Sequence, residues 1–141
     1  MKYFVPLGRI CFSLIFLFSG PGHFKAGTAA YAASRGVPLP SLLVPLSGVI
    51  AILGSLSIIL GYKAKWGGWL IVLFLVPVTL MMHNFWAMTD PAQAQTNYIM
   101  FMKNLSMLGG ALIIAWFGAG PLSLDAWQAA RRAKAVDETT V

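Results

Sequence analysis

Residues 66–89 read WGGWLIVLFLVPVTLMMHNFWAMT, 24 positions without one charged side chain. A helix rises about 1.5 Å per residue, and a bilayer core needs about 20 mostly apolar helical residues. This stretch is therefore long enough to cross a membrane. Gly36–Tyr62 and Asn104–Leu124 are equally free of charge, and Ile10–Phe24 reaches the required length once Arg9 is admitted near its end. Four spans result, at about 4–24, 41–61, 66–86 and 98–117. Short connections and a tail, 122–141, make up the rest, so no room is left for a soluble catalytic domain.

Composition agrees. Of 141 residues, 58% are apolar and only 10% charged, with a mean hydropathy of +0.75. A soluble domain carries about 25% charged residues. A soluble enzyme and a disordered chain are both excluded. The formal charge of +6 does not indicate nucleic acid. Nucleic-acid binders gather their bases on one face, whereas these bases sit at the ends of apolar runs. The single cysteine, Cys11, allows neither an internal disulfide nor a CxxC pair.

The pattern predicts an all-α, four-helix transmembrane bundle. Lys2 and Ala30-Tyr31-Ala32 resemble parts of a signal peptide, but the cleavage-like site lies too far beyond the apolar run, and the first span is read as retained. Lys25–Pro40 is a connection broken by its prolines, with Tyr31 on a short interfacial helix. Asp90–Asn97 reads as a polar loop, and Pro77 as a kink. After Gly118-Ala-Gly-Pro121, Ser123 or Asp125 caps a short amphipathic helix carrying Trp127, Arg131, Arg132 and Lys134 at the membrane surface. An even number of spans puts both termini on one side. That side holds Lys2, Lys63, Lys65, Arg131, Arg132 and Lys134, against Lys25, Arg35 and Lys103 on the other. Basic connections stay inside, so the expected topology is N-in and C-in, in a bacterial inner membrane.

Polar residues within spans are costly and mark where function is sought. Arg9, Ser13, Phe16, Gly20 and His23 recur at spacings of four and three, on one helix face. Either this face lines the bundle interior or Arg9 snorkels to the headgroups. Thr79 and His83 share a face of span 3, so Arg9, Ser13 and Thr79 are expected inside the bundle. Ser47, Ala51 and Ser55 form a small-residue stripe suited to helix packing. On the outer side, His23, His83, Asn84, Lys103 and Asn104 approach one depth from three helices, with Lys25 and Trp86 at the rim. The alternative is an ordinary belt of interfacial side chains. As a site, the cluster suits a quinone-like headgroup, a lipid phosphate or a small oxyanion. Two histidines without nearby acids or cysteine make a poor metal set, and no metal is expected. A b-type haem between His23 and His83 stays open. No span contains an acid, which argues against a carboxylate proton relay.

Several segments in order resemble the DoxX family of small bacterial membrane proteins: Leu7-Gly-Arg9-Ile, Phe18-Ser-Gly20 leading to Phe24-Lys25, Gly36-Val-Pro-Leu-Pro40, Gly48 to Gly61, His83-Asn-Phe-Trp86, Lys103-Asn-Leu to Gly110, and Gly118-Ala-Gly-Pro-Leu-Ser-Leu-Asp125. The resemblance implies a four-helix bundle and a link to membrane oxidoreductase systems, including quinone reduction. It departs at Ala51, where the family commonly has a glutamate, and near His23, where lysine is frequent. The resulting expectation is a subunit or partner of a membrane redox system that binds a quinone at its outer face. Its partners would be the lipid bilayer, membrane or peripheral redox proteins, or further copies of itself. The alternatives are a scaffold for another membrane protein, using the small-residue stripe if it faces lipid, and a small-solute carrier.

Overall fold

The computed structural model describes residues 2–139; Met1 and residues 140–141 of the expected tail lie outside the described residues. The chain is all helical: α1 (Phe4–Ser19), a 3-10 turn (Gly20–Phe24), α2 (Ala26–Ser34), α3 (Pro40–Leu60), α4 (Ala64–Met82), a second 3-10 turn (Phe85–Ala87), α5 (Pro91–Phe117) and α6 (Leu124–Thr139). Four spans, Phe4–Phe24, Pro40–Leu60, Ala64–Ala87 and Pro91–Phe117, are long and apolar enough to cross a membrane. Large apolar side chains such as Phe18, Leu73, Ile113 and Trp116 stand exposed along them. A water-soluble bundle would not leave so much apolar area uncovered; hydrocarbon is the solvent these faces fit.

Packing runs α1–α3–α4–α5, with α2 laid on α3. Small residues set the crossings. A Cβ on Gly67 would lie 3.0 Å from the Gly54 carbonyl oxygen, so α3 and α4 touch backbone to backbone there. A Cβ on Gly68 would lie 2.7 Å from the backbone nitrogen of Ala115, which brings α5 equally close to α4. Phe12 of α1 packs over Gly110 of α5. Phe16, Ala51, Ile58, Ile71, Phe74, Leu75 and Ala111 form the core.

Several boundaries differ from the sequence reading. Asp90–Asn97 is not a loop: Asp90 accepts from the Ala92 N–H and Pro91 takes the first helical position, where it needs no donor, so α5 begins seven residues earlier than expected. Span 3 begins at Ala64 instead of 66 because the Asp125 carboxylate caps it, accepting from the Lys63 N–H at 2.7 Å and the Ala64 N–H at 3.1 Å. Ser123 is the residue that caps α6, accepting from the Ala126 N–H. Tyr31 does lie on a short helix, α2. Pro77 sits inside a continuous α4, and α3 runs unbroken through Pro45.

Candidate functional site

The two ends of the bundle hold different polar arrangements. At the end carrying the N-terminus, Arg9 is only 5% exposed. It does not snorkel. Its Nη1 donates to the Ala119 carbonyl at 2.6 Å and its Nη2 to the Leu122 carbonyl at 2.8 Å. Gly61 makes room: a Cβ there would lie 2.4 Å from the Ser123 Cβ and 2.8 Å from Arg9 Nη1. Asp125 closes the knot, its own N–H donating to the Gly61 carbonyl at 2.9 Å. Ser13, one turn from Arg9, and Thr79 are both buried. Ala51 is wholly buried in the core, and Ser55 is buried beside it. Ala51 and Ser55 thus face the bundle, and Ser47, partly buried, borders open volume between the helices.

At the opposite end lies a cavity of about 480 Å³ walled by α2, α3, α4 and the first 3-10 turn. Its lining is apolar except for His23, Thr28, Ser47 and His83. Gly48 explains how His23 arrives: a Cβ on Gly48 would lie 2.7 Å from the His23 Cβ and 2.9 Å from the Gly20 carbonyl oxygen. The 3-10 turn therefore rides directly on α3 and sets His23 Nδ1 2.8 Å from Ser47 Oγ. Ser47 Oγ in turn donates to the Val44 carbonyl at 2.7 Å. The His23 ring packs against Phe74, centroids 5.6 Å apart.

His83 caps the C-terminal end of α4 and holds Nδ1 3.2 Å from Asn97 Oδ1. Asn97 Nδ2 donates to the Gln93 carbonyl, which fixes the amide. Arg35, just past α2, donates to Asn84 Oδ1 and to the Met82 carbonyl. That link ties two walls of the cavity, since Ala32 and Val37 flank Arg35 and Met82 and His83 flank the acceptors.

The seven expected ligand residues therefore separate. His23 and His83 share the cavity. Asn84 serves Arg35 at its edge. Lys25 lines a separate shallow groove with His23, between α2 and the start of α3. Trp86 is largely exposed and packs edge-on against Phe85 and Phe101. Lys103 is exposed, with its ammonium against Met100 Sδ. Asn104 is buried on the α5 face that carries Ala111 and Ala115, and it is no part of the cavity lining. Because α5 starts at Pro91, Asn97 stands opposite His83, and Asn104 follows seven residues on, about 10 Å deeper. Among the described residues no three His, Cys, Asp or Glu side chains form a metal-ligand group.

Residues 4–84 match the DoxX family model. The chain belongs to the DoxX family. Over 121 residues, 84% of this chain and 86% of the relative, the DoxX chain is 32% identical to inner membrane protein YphA of Escherichia coli. It is 30% identical to inner membrane protein YqjF of the same organism over 123 residues, 86% of this chain and 88% of the relative. A further likeness, 32% over 77 residues, is to ER-derived vesicles protein ERV29 of Saccharomyces cerevisiae; it covers 55% of this chain and 24% of that protein. No solved structure matches. The family, the relatives and the four spans make this DoxX chain a multi-pass inner-membrane protein.

Proposed function

We propose that this DoxX chain takes a quinone-like headgroup from the bilayer into the cavity between α2, α3 and α4, and acts as a subunit or partner of a membrane redox system. One observation carries the reading: imidazoles from two different spans, each held by its own partner, line a single cavity that is apolar apart from them, Thr28 and Ser47. A mostly apolar pocket with a few convergent polar groups is what a lipid-soluble ring requires. Exposed Leu46 and Leu73 belong to its lining and lead outward to the hydrocarbon. With the termini inside, as the distribution of bases indicates, the cavity opens near the outer face. Asn104 and Lys103, though expected at the site, lie outside the cavity lining and take no part in the proposed binding.

The test is equilibrium binding of a short-chain ubiquinone analogue, in its oxidised and its reduced form, to the purified protein in nanodiscs. His23→Ala and His83→Ala are each expected to weaken binding of the form that bonds the imidazoles by roughly tenfold, the scale of one buried hydrogen bond. Absence of binding by the unaltered protein, or indifference to both substitutions, would overturn the reading.

A further inference from the structure

We infer that the cavity selects a ligand that donates hydrogen bonds, a hydroquinone or other phenol, over its oxidised or alkylated counterpart that only accepts. The inference rests on the quinone-like reading and adds the redox form to it.

The reasoning starts from two backbone carbonyls. A carbonyl oxygen has no proton, so the contact of 2.7 Å between Ser47 Oγ and the Val44 oxygen holds the serine proton. Ser47 then meets His23 Nδ1 with a lone pair, and Nδ1 must carry the hydrogen. The same logic applies across the cavity. The Gln93 carbonyl can only accept, so Asn97 presents Nδ2 to it and Oδ1 to His83. His83 Nδ1 must therefore donate. A neutral imidazole has one N–H and one acceptor nitrogen. With both protons fixed at Nδ1, each Nε2 is left as an acceptor.

No lining side chain offers a compensating donor. Thr28 Oγ1 donates to the Gly22 carbonyl, and Ser47 is already engaged. Pro38 and Pro77, also in the lining, have no N–H. The Val37 N–H is held by the Ala32 carbonyl. An acceptor-only headgroup would find no side-chain donor in this mostly apolar lining and would leave both Nε2 atoms unmet, whereas a hydroxyl on the ring satisfies an imidazole directly. Sites built to hydrogen-bond a hydroxyl reject analogues that lack it.

The experiment compares two probe pairs on the purified protein in nanodiscs at about pH 8, where ordinary imidazole is neutral: a short-chain ubiquinone analogue against its quinol, kept reduced under argon, and a 4-alkylphenol against its methyl ether. The quinol and the phenol are expected to bind at least roughly tenfold more tightly than their partners. If no probe binds, the quinone-like reading itself fails. If both members of each pair bind equally, or the acceptor-only members bind better, this inference fails while that reading stands. Nitrogen-15 spectra of the histidines give a second measurement that needs no ligand. Hydrogen at Nδ1 of both rings is expected, and hydrogen at Nε2 of both overturns the inference. Releasing the locks with Ser47→Ala together with Asn97→Leu should let the rings exchange tautomers and bring the binding ratio towards one. An unchanged ratio also overturns it.

Discussion

The two ends of this bundle use buried polar groups in opposite ways. At the terminal end, both Arg9 Nη groups are directed at backbone carbonyls, and the Asp125 carboxylate at two backbone N–H groups. The connections there are locked to the helices. At the other end, each histidine is anchored through Nδ1 beside a cavity instead of a packed wall. Burial of a polar residue in a span is therefore not by itself a mark of function. The distinguishing feature is what the polar group borders: Arg9 Nε and Ser13 Oγ also lack partners but are packed inside the bundle, whereas the two imidazoles line open volume.

Replacing Arg9 by leucine should break the terminal end with the largest effect. One buried and one part-buried carbonyl would lose their donors. At about 1–3 kcal/mol for each orphaned group, the gross loss is about 2–6 kcal/mol, reduced by removal of the Arg9 Nε, which is buried without a partner. Thermal unfolding in detergent measures it. Arg9→Lys should recover only part, because an ammonium cannot span two carbonyls as the guanidinium fork does. Ligand affinity of the fraction still folded should stay unchanged; a selective loss of affinity would show that the two ends are coupled.

A pair of glycine substitutions sharpens the contrast. Gly61→Ala puts a Cβ against Ser123 and Arg9 at a residue with φ of +64°. Strain of about 1–3 kcal/mol is expected there, before any clash, and unfolding should report it. Gly48→Ala drives a Cβ into His23 and the Gly20 carbonyl. It should lift the 3-10 turn from α3 and abolish binding of the ubiquinol analogue. If Gly61→Ala reduced binding more than Gly48→Ala did, the division between the two ends would be lost.

The sequence announced some of this and concealed the rest for definite reasons. Four charge-free runs revealed four spans, because the bilayer imposes length and apolarity directly. The Arg9-to-His23 face was legible from its spacing. Whether Arg9 snorkels was not, because its acceptors are carbonyls more than a hundred positions away that no side-chain pattern encodes. Reading Asp90–Asn97 as a loop moved the start of span 4 by seven residues, which set Asn104 at a depth that belongs to Asn97. The Asp90-Pro91 pair was the signal that could have corrected it. Ser47 was read as packing by its four-residue repeat with Ala51 and Ser55, although a serine can both pack closely and orient a neighbouring ring. Arg35 carries no signal in the sequence beyond its charge.

A smaller effect is expected from Asp125→Ala. Removal of an N-cap typically costs about 0.5–2 kcal/mol, and this carboxylate also closes the turn at Gly61. The unfolding temperature should fall, while the preference for quinol over quinone should not move. Asp125→Asn should recover part of the loss, since the amide oxygen still accepts one of the two N–H groups.

Arg35→Leu should have the smallest effect on stability and thereby tests the boundary between the two regimes. Arg35 is partly exposed, and its Nε is buried without a partner, so the bonds to Asn84 and Met82 are offset by an unmet donor. Removing both terms together should leave unfolding almost unchanged. The link nevertheless joins the wall formed by α2 to the end of α4, and a ligand leaving between them has to part these walls. The dissociation rate of the ubiquinol analogue should therefore rise, by roughly threefold to tenfold, with little change in association. Stopped-flow displacement separates the two rates. A large fall in unfolding temperature with an unaltered dissociation rate would instead group Arg35 with Arg9. The end that carries the cavity would then be held together in the same way as the end that does not.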